Sequence, residues 1–221
     1  MAGYPPMTFK TRFQYLLDKA NDIAQRQFAL NPSSQDLPTL FYFTDPARTP
    51  HPEDIAAHLP QGCGIIYRHF GDSHAPQRAR LLRKIADERG LTLFIGEDVE
   101  LALDIGADGV HLREHSIERA ADLHRNRPEL ILTAACHDLA TLRSLGDQSG
   151  LKAVFVSPVF DSQSPSASGI TPLGVKGVQK FTEIATLCVY GLGGINCDNI
   201  GSLRDSGLSG IGAVDAFSLA D

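Results

Sequence analysis

The sequence predicts an α/β fold, a closed (β/α)8 barrel of the TIM type. It forms a single domain with an extra N-terminal amphipathic helix and a short last helix. From residue 39 onward, eight short apolar runs alternate with helical patterns. The runs are continuous and not alternating, which is typical of parallel strands covered on both faces. Several helical patterns end in a glycine just before the next run, as helix C-termini often do: Gly90, Gly106, Gly150 and Gly207.

The first element is an amphipathic helix that precedes the alternating part. Residues 9–29 place apolar side chains three and four positions apart, and the Pro, Ser and Asn residues of 31–38 end the pattern. We therefore assign residues 1–36 to an N-terminal helical extension and residues 37–221 to the barrel. The apolar stripe is expected to pack on the floor or the outer wall of the barrel, and a homodimer contact is the alternative.

The alternating part supplies one strand and one helix for each unit of the barrel. Strands are expected at 39–44, 63–67, 91–95, 108–112, 130–135, 152–156, 187–191 and 209–213. Helices are expected at 53–59, 75–89, 98–105, 116–126, 138–147, 175–184 and 197–206. A doubly wound open sheet is the alternative. It would normally carry a glycine-rich turn after the first strand, where this chain has the segment 44–48, TDPAR.

Composition excludes several classes of function. The net charge of −6 argues against general nucleic-acid binding. No apolar run of about 18 residues is present, so no membrane partner is expected. The N-terminal sequence lacks the basic start and apolar core of a secretory signal. The four cysteines are scattered without a C-x-x-C motif, which favours reduced thiols and a cytoplasmic location.

Two turns near the C-terminus are candidates for a phosphate-binding site. The seventh apolar run leads into Gly193 and Gly194, and the eighth ends at Ala213 and Val214. Glycine lets backbone amides approach a ligand closely, and TIM barrels often bind phosphate between strands seven and eight. The sequence therefore predicts that these four residues hold a phosphate ester, helped by a helix N-terminus after each turn.

Other strand ends carry polar side chains. Arg68 is suited to bind a phosphate or carboxylate, with a salt bridge at the rim as the alternative. His137 follows the fifth strand and is suited to proton transfer, with a structural hydrogen bond as the alternative. His111 is expected to be structural. Glu97 and Asp98 are expected to cap the following helix in preference to binding a metal.

The segment 157–174 is a long irregular loop after strand six, on the face where barrel enzymes bind their substrates. It is rich in serine, and we expect a mobile flap whose hydroxyls, including those of Ser157, Ser162 and Ser164, contact the ligand. A solvated serine-rich connection is the alternative.

Five motifs resemble the thiamine phosphate synthase and thiazole tautomerase superfamily, over about residues 39–215. They are ADGVHL at 107–112, the alanine-rich strand ending in His137, SPVF at 157–160, GLGGIN-x-x-N at 191–199 and the closing glycine-rich strand up to Val214. The resemblance implies a barrel whose last two turns bind the phosphate of a thiazole phosphate. For the synthase it also implies Mg2+, which holds the pyrophosphate of a pyrimidine substrate.

The chain departs from the synthase pattern where metal and pyrophosphate are bound. The strand-two motif Gln-x-Arg-x-Lys keeps only Arg68 and has Ile66 and Phe70 at its ends. The strand-three motif Asn-Asp is replaced by Gly96-Glu97. Ser116 stands in place of the second metal-binding Asp, and Ala135 in place of a serine. The flap motif Thr-x-Thr-Lys is matched by Ser162, Ser164 and Pro165.

These departures bear on the reaction. A departing pyrophosphate needs cations to neutralise its charge, and the implied Mg2+ ligands are mostly absent, with Glu97 as the one weak candidate. Asp215 is expected to add a negative charge beside the predicted phosphate turn, with an outward-pointing helix cap as the alternative.

Four functions remain open from the sequence. The first is thiamine phosphate synthesis from a pyrimidine pyrophosphate and thiazole phosphate. The second is tautomerase-like proton transfer by His137, which requires one titratable group and no metal. The third is non-catalytic binding of thiazole or thiamine phosphates. The fourth is a phosphate-binding barrel of another kind, such as a sugar-phosphate isomerase or aldolase, for which no Schiff-base lysine stands at a strand end.

Overall fold

The strands form a closed, wholly parallel barrel. A computed structural model describes residues 8–30, 37–146, 149–164 and 169–219. The strand order is β1 to β8, and β1 pairs with β8, so no edge is left open. The (β/α)8 prediction is confirmed and the open-sheet alternative is wrong. The strands are β1 (Leu40–Phe43), β2 (Gly64–Tyr67), β3 (Thr92–Gly96), β4 (Gly109–Leu112), β5 (Ile131–Cys136), β6 (Ala153–Val156), β7 (Cys188–Gly191) and β8 (Gly210–Ala213).

Helices connect the strands along the outside of the barrel. Those in the described ranges are α1 (Phe9–Leu30), α2 (Pro52–Ala56), α3 (Ala75–Arg89), α4 (Val99–Asp104), α5 (Ala120–Asn126), α6 (Leu139–Ser144) and α7 (Gly174–Thr182). The helix expected at 116–126 begins as a 3-10 helix, Glu114–Arg119. As predicted, Gly90 ends a helix: it adopts a left-handed conformation (φ 64°) and its amide donates to the carbonyl of Ala86.

The turns after β7 and β8 lead into 3-10 helices and not into α-helices. The helix expected at 197–206 is replaced by Ile200–Leu203, and β8 is followed by Asp215–Phe217. The backbone amide of Asn196 donates to Oδ1 of Asn199 at 2.9 Å, and such local side-chain bonds compete with helical ones. The last helix is short, as predicted, whereas the α-helix expected after β7 is a 3-10 helix, so no α-helix N-terminus follows either turn.

The barrel interior is filled by aromatic rings that face glycines on neighbouring strands. Phe41 lies 5.7, 5.4 and 5.6 Å, between ring centroids, from Phe94, Phe155 and Tyr190. A Cβ atom on Gly64 would lie 2.2 Å from the Phe41 ring, so this strand can carry no larger residue there. The rings form a solid layer beneath the strand ends and give the site a rigid floor.

Helix α1 packs on the outer wall of the barrel, against β8 and β1. Its side chains Phe13, Leu16 and Ala20 are fully buried. The Phe13 ring lies 5.1 Å from that of Phe217, which in turn lies 5.3 Å from Tyr42. The helix thus covers the seam where the barrel closes. The division at residue 36 and the homodimer both stay predictions, and residues 1–7 and 31–36 lie outside the described ranges.

The four cysteines are free thiols. Cys63, Cys136 and Cys188 are buried, and Cys197 is half-buried. Burial raises the pKa of the Cys63 and Cys136 thiols to about 12, so both are protonated and unreactive near neutral pH.

None of the helices in the described part of the chain combines the length and apolarity needed to cross a bilayer.

Candidate functional site

The carboxyl ends of the strands open into two adjoining cavities. The larger cavity, of about 710 Å3, lies between the turns after β7 and β8, the flap and the end of β5. The smaller, of about 450 Å3, lies over the ends of β2, β3 and β4, and we call it the arginine cavity. The two cavities share Arg68, Phe70, His111 and Arg113.

The four residues predicted to bind phosphate come together on one wall of the larger cavity. Gly193, Gly194, Ala213 and Val214 all line it. Within the described residues, no hydrogen bond uses the backbone amides of Gly193, Gly194 or Val214. These amides are free to donate to an oxyanion in the cavity.

The glycine pair also has a structural role. Gly193 and Gly194 have φ values of 95° and 68°, which favour glycine. The amide of Phe160 in the flap donates to the carbonyl of Gly193 at 3.0 Å. A Cβ atom on Gly194 would lie 2.3 Å from the carbonyl oxygen of Asp161. The pair therefore lets the base of the flap pack directly on the turn after β7.

The flap brings hydroxyl groups to the larger cavity, as predicted from its serines. Ser157, Ser162 and Ser164 line the cavity, and the amide of Ser164 donates to Oγ of Ser162 at 3.2 Å. Ile170 from the same segment also lines the cavity and is 49% exposed, so the flap adds an apolar contact as well. Residues 165–168, with the Pro165 of the flap motif, lie outside the described residues.

A chain of ion pairs crosses the rim from β1 to β8. Arg48 donates to Asp45 at 2.9 Å and to Asp215 at 2.8 Å. Asp215 was expected to add an unfavourable negative charge beside the phosphate turn. That charge is instead neutralised by Arg48, which the sequence did not single out as a site residue.

The Asp45 carboxylate is held tightly at this rim. Burial raises its pKa, but its hydrogen bonds with Arg48 outweigh burial and leave the pKa below its usual value of 3.8. A carboxyl whose folded pKa is depressed stabilises the protein above the unfolded pKa, and this contribution is lost as the pH falls through the folded value.

We expect Asp45→Asn to lower the free energy of unfolding by about 2 kcal/mol at neutral pH. The difference from wild type should be constant above about pH 5 and shrink below it. Urea unfolding across this range measures the effect. Asp122→Asn, which removes an exposed carboxylate on α5, is the control and should change little. An Asp45 effect that persists unchanged at pH 3 would contradict this account.

Arg68 lies at the junction of the two cavities. Its Nε donates to the carbonyl of Thr44 at 2.9 Å, and its guanidinium lies 5.3 and 5.4 Å from the ring centroids of Phe43 and Phe70. The buried Nη2 has no hydrogen-bond partner, and the carboxylate of Asp45 is 3.9 Å away. Burial lowers the pKa of Arg68 to about 10, so the group stays charged at neutral pH. The rim ion pair with Asp45 is therefore present but long, and the hydrogen-bonding capacity of Nη2 is left for an anion.

His137 stands on the wall of the larger cavity. Its Nδ1 lies 3.2 Å from both the carbonyl oxygen and the hydroxyl of Ser157, and its backbone amide donates to Glu114 at 2.6 Å. When Nδ1 carries the proton and donates it to the carbonyl oxygen of Ser157, Nε2 is left as the nitrogen that accepts a proton. The imidazole is exposed and oriented, which meets the geometric needs of a proton-transfer group.

His111 is structural, as expected. It is buried, its Nδ1 lies 3.0 Å from the hydroxyl of Thr133, and its ring packs edge-on against Phe43 and Phe155. Burial lowers its pKa to about 3, so it is neutral at physiological pH. It forms the floor between the two cavities.

Glu97 and Asp98 follow β3, and one of the two caps the next helix. The Asp98 carboxylate accepts from the amide of Leu101 at 2.9 Å and caps α4 as predicted. Glu97, with φ 65°, turns away from α4 and accepts hydrogen bonds from the amide of Arg113 and the hydroxyl of Ser116, the latter at 2.9 Å. The expectation that Glu97 caps α4 is therefore wrong, because its side chain fastens the loop after β4.

The family model for thiamine monophosphate synthase matches residues 44–217, which covers most of the chain and all the residues that line the two cavities except Phe43. The chain belongs to the thiamine monophosphate synthase family.

Relatives and solved structures agree with this family. The chain is 30% identical over 144 residues to a thiamine-phosphate synthase from Bacillus cereus, covering 65% of this chain and 64% of the relative. It is 29% identical over 170 residues to the thiamine biosynthesis bifunctional protein ThiM/ThiE from Symbiobacterium thermophilum, covering 75% of this chain and 35% of that protein. The matched part is thus less than two thirds of each relative.

A thiamine phosphate pyrophosphorylase from Pyrococcus furiosus has the same fold, with a TM-score of 0.69 and 24% identity over 84% of this chain and 89% of that one. An HpcH/HpaI aldolase from Desulfitobacterium hafniense has a TM-score of 0.57 at 12% identity, over 85% of this chain and 89% of that one. Both likenesses show the barrel fold alone.

The Mg2+ that the synthase family implies does not fit the side chains at this position. Both oxygens of Glu97 accept hydrogen bonds, and Ser116, in place of the second metal carboxylate, is one of the donors. Across the described residues, no group of three or more His, Cys, Asp or Glu side chains could hold a metal ion. A magnesium ion would have to displace these bonds and would find one carboxylate.

Three arginines in the site were missed from the sequence. Arg48 neutralises Asp215, while Arg113 and Arg119 line the arginine cavity. Arg113 directly follows the end of β4, and this position at a strand end was the available signal. Arg119 lies in a 3-10 helix, and its place in the cavity depends on how the loop after β4 folds back over β3.

Proposed function

We propose that this chain is an enzyme of thiamine biosynthesis that joins a pyrimidine pyrophosphate to thiazole phosphate and releases pyrophosphate. The observation that carries the proposal is the pair of adjoining cavities that meet at Arg68. A reaction that joins two phosphorylated heterocycles needs two anion-binding regions with the reacting rings between them. Family membership supports the same chemistry.

In this proposal the thiazole phosphate occupies the larger cavity. Its phosphate accepts hydrogen bonds from the free amides of Gly193, Gly194 and Val214, and the hydroxyls of the flap approach from the other side. The pyrimidine lies near Phe70, which is 57% exposed at the boundary between the cavities and offers an aromatic face. Its pyrophosphate extends into the arginine cavity. The free thiols support a cytoplasmic location for the enzyme.

The test is an assay of purified protein with both substrates, with and without Mg2+. Formation of thiamine phosphate above the rate in a protein-free control supports the proposal. Absence of product in both conditions, with a folded protein, overturns it.

A second candidate function is tautomerase-like proton transfer on a thiazole phosphate, and the position of His137 favours it. The oriented imidazole faces the cavity that would hold the thiazole, and the reaction requires no second substrate. General acid–base catalysis by one group typically contributes about 100- to 10,000-fold to the rate.

For this second function we expect His137→Asn to reduce isomerisation of the thiazole carboxylate phosphate by at least about 100-fold. His74→Asn alters an exposed histidine outside both cavities and serves as the matched control. Rate measurements on both variants decide the role, and an unchanged rate in His137→Asn would remove His137 from it. Binding of thiazole or thiamine phosphate in a thermal-shift screen, with no turnover in either assay, would favour the non-catalytic binder.

A further inference from the structure

We propose that the arginine cavity binds the diphosphate group of a substrate through arginine side chains, without a divalent cation. The inference rests on the proposed two-substrate function and specifies how its second anion is held. The cavity is lined by Arg68, Arg113 and Arg119, and it opens directly into the larger cavity. Three guanidinium groups around a cavity of about 450 Å3 suit a ligand with several phosphate oxygens.

The first step of the argument is that Glu97 is already engaged. Its carboxylate bonds to the amide of Arg113 and to Ser116, and Nη1 of Arg119 lies 3.9 Å from it. A direct hydrogen bond between Ser116 and Glu97 therefore occupies the place where two carboxylates would share a metal. This hydrogen bond holds together the segments that follow β3 and β4, which a bridging metal ion would otherwise do.

The second step concerns the other acidic groups of the cavity. The Asp98 carboxylate caps α4, and His69 Nε2 lies 3.6 Å from it. Glu100 lies in the first turn of α4, where the helix dipole stabilises a negative charge. The carboxylates of Glu97, Asp98 and Glu100 equal the three arginines of the cavity in number, so the formal charges cancel. Glu97 and Asp98, however, already accept hydrogen bonds from the protein.

The third step is that two of the arginines are available. Nη2 of Arg68 is buried without a hydrogen-bond partner. Among the described residues, no carboxylate lies close enough to the Arg113 guanidinium, within 4.0 Å, to form an ion pair with it. An anion between them would satisfy a buried donor that the protein leaves unpaired, and such a pairing is worth more than an exposed ion pair.

The experiment is calorimetric titration of the full-length protein with inorganic pyrophosphate, in EDTA and then in Mg2+. We expect binding in EDTA, with no gain in affinity on adding Mg2+. Arg113→Gln, an exposed position that the fold does not require, should weaken binding about tenfold in EDTA. Glu97→Gln should leave the affinity unchanged or raise it, since one negative charge leaves the cavity. Arg125→Gln, on the outer face of α5, is the matched control.

Three results would overturn the inference: binding that appears only with Mg2+, loss of binding in Glu97→Gln, or full affinity in Arg113→Gln. Thermal unfolding of each variant checks that it is folded. The titration involves no turnover, so its outcome is separate from that of the synthase assay. Pyrophosphate can bind as expected while the joining reaction fails, and thiamine phosphate can form while pyrophosphate binding proves to need Mg2+.

Discussion

Gly194→Ala is expected to destabilise the protein by about 3 kcal/mol and to lower its melting temperature by about 10 °C. Two effects add. The left-handed backbone (φ 68°) costs an L-residue about 1–2 kcal/mol. The new Cβ would also lie 2.3 Å from the carbonyl oxygen of Asp161 and 2.7 Å from the carbonyl carbon of Phe160. Both neighbours are backbone atoms, so the flap itself must move.

The matched control for this substitution is Gly201→Ala. Gly201 lies in the 3-10 helix of the same connection, and a Cβ there meets nothing within 4 Å. We expect its melting temperature to equal or exceed that of wild type, because alanine restricts the unfolded chain. Thermal unfolding followed by circular dichroism measures both variants. Equal melting temperatures for the two would show that the flap does not pack on this turn as described.

Arg68→Met is expected to reduce kcat/KM for thiamine phosphate formation by at least about 100-fold, which corresponds to about 3 kcal/mol. Both cavities share this guanidinium, so both substrates lose it. The free energy of unfolding of Arg68→Met should rise, although its activity falls. The cation is buried with an unpaired Nη2, and its pKa is lowered to about 10 by burial, which marks a cost that methionine would relieve.

The magnitudes favour a more stable variant. Loss of the cation–π contacts with Phe43 and Phe70 costs about 0.5–1 kcal/mol each. Burial lowers the pKa of Arg68 to about 10, which corresponds to a cost of about 3 kcal/mol for the charged form. An apolar side chain removes this cost, and Asp45 keeps its bond to Arg48. Arg80→Met, on the exposed face of α3, is the control. Lower stability together with full activity would contradict the role given to Arg68.

The barrel could be predicted from the sequence because its signals are local. Each strand is a continuous apolar run, and Gly90 marks the end of a helix by its own backbone conformation. The turns for which phosphate binding is predicted could be placed for the same reason, since Gly193 and Gly194 follow closely after β7. A single segment carries each of these signals.

The rest of the site depends on contacts between segments, which no single stretch of sequence encodes. Glu97 was expected to cap α4, yet its partners Arg113 and Ser116 come from the next unit of the barrel. Arg48 neutralises Asp215 across 167 positions of the chain. The aromatic floor likewise requires the pairing of Phe41 with Gly64 on the adjacent strand.

The position of α1 on the closing seam has a consequence for the order of folding during synthesis. Helix α1 is synthesised before β8, on which it packs, and Arg12 of α1 donates a hydrogen bond to the carbonyl of Ser218, 206 positions away. The apolar face of α1 therefore lacks its contacts with β8 until that strand has been synthesised. Closing so long a loop costs conformational entropy before its contacts form. Helix α1 precedes the barrel in the sequence and is thus among the last elements to reach its native environment, and a nascent chain stalled before β8 would expose Phe13 and Leu16.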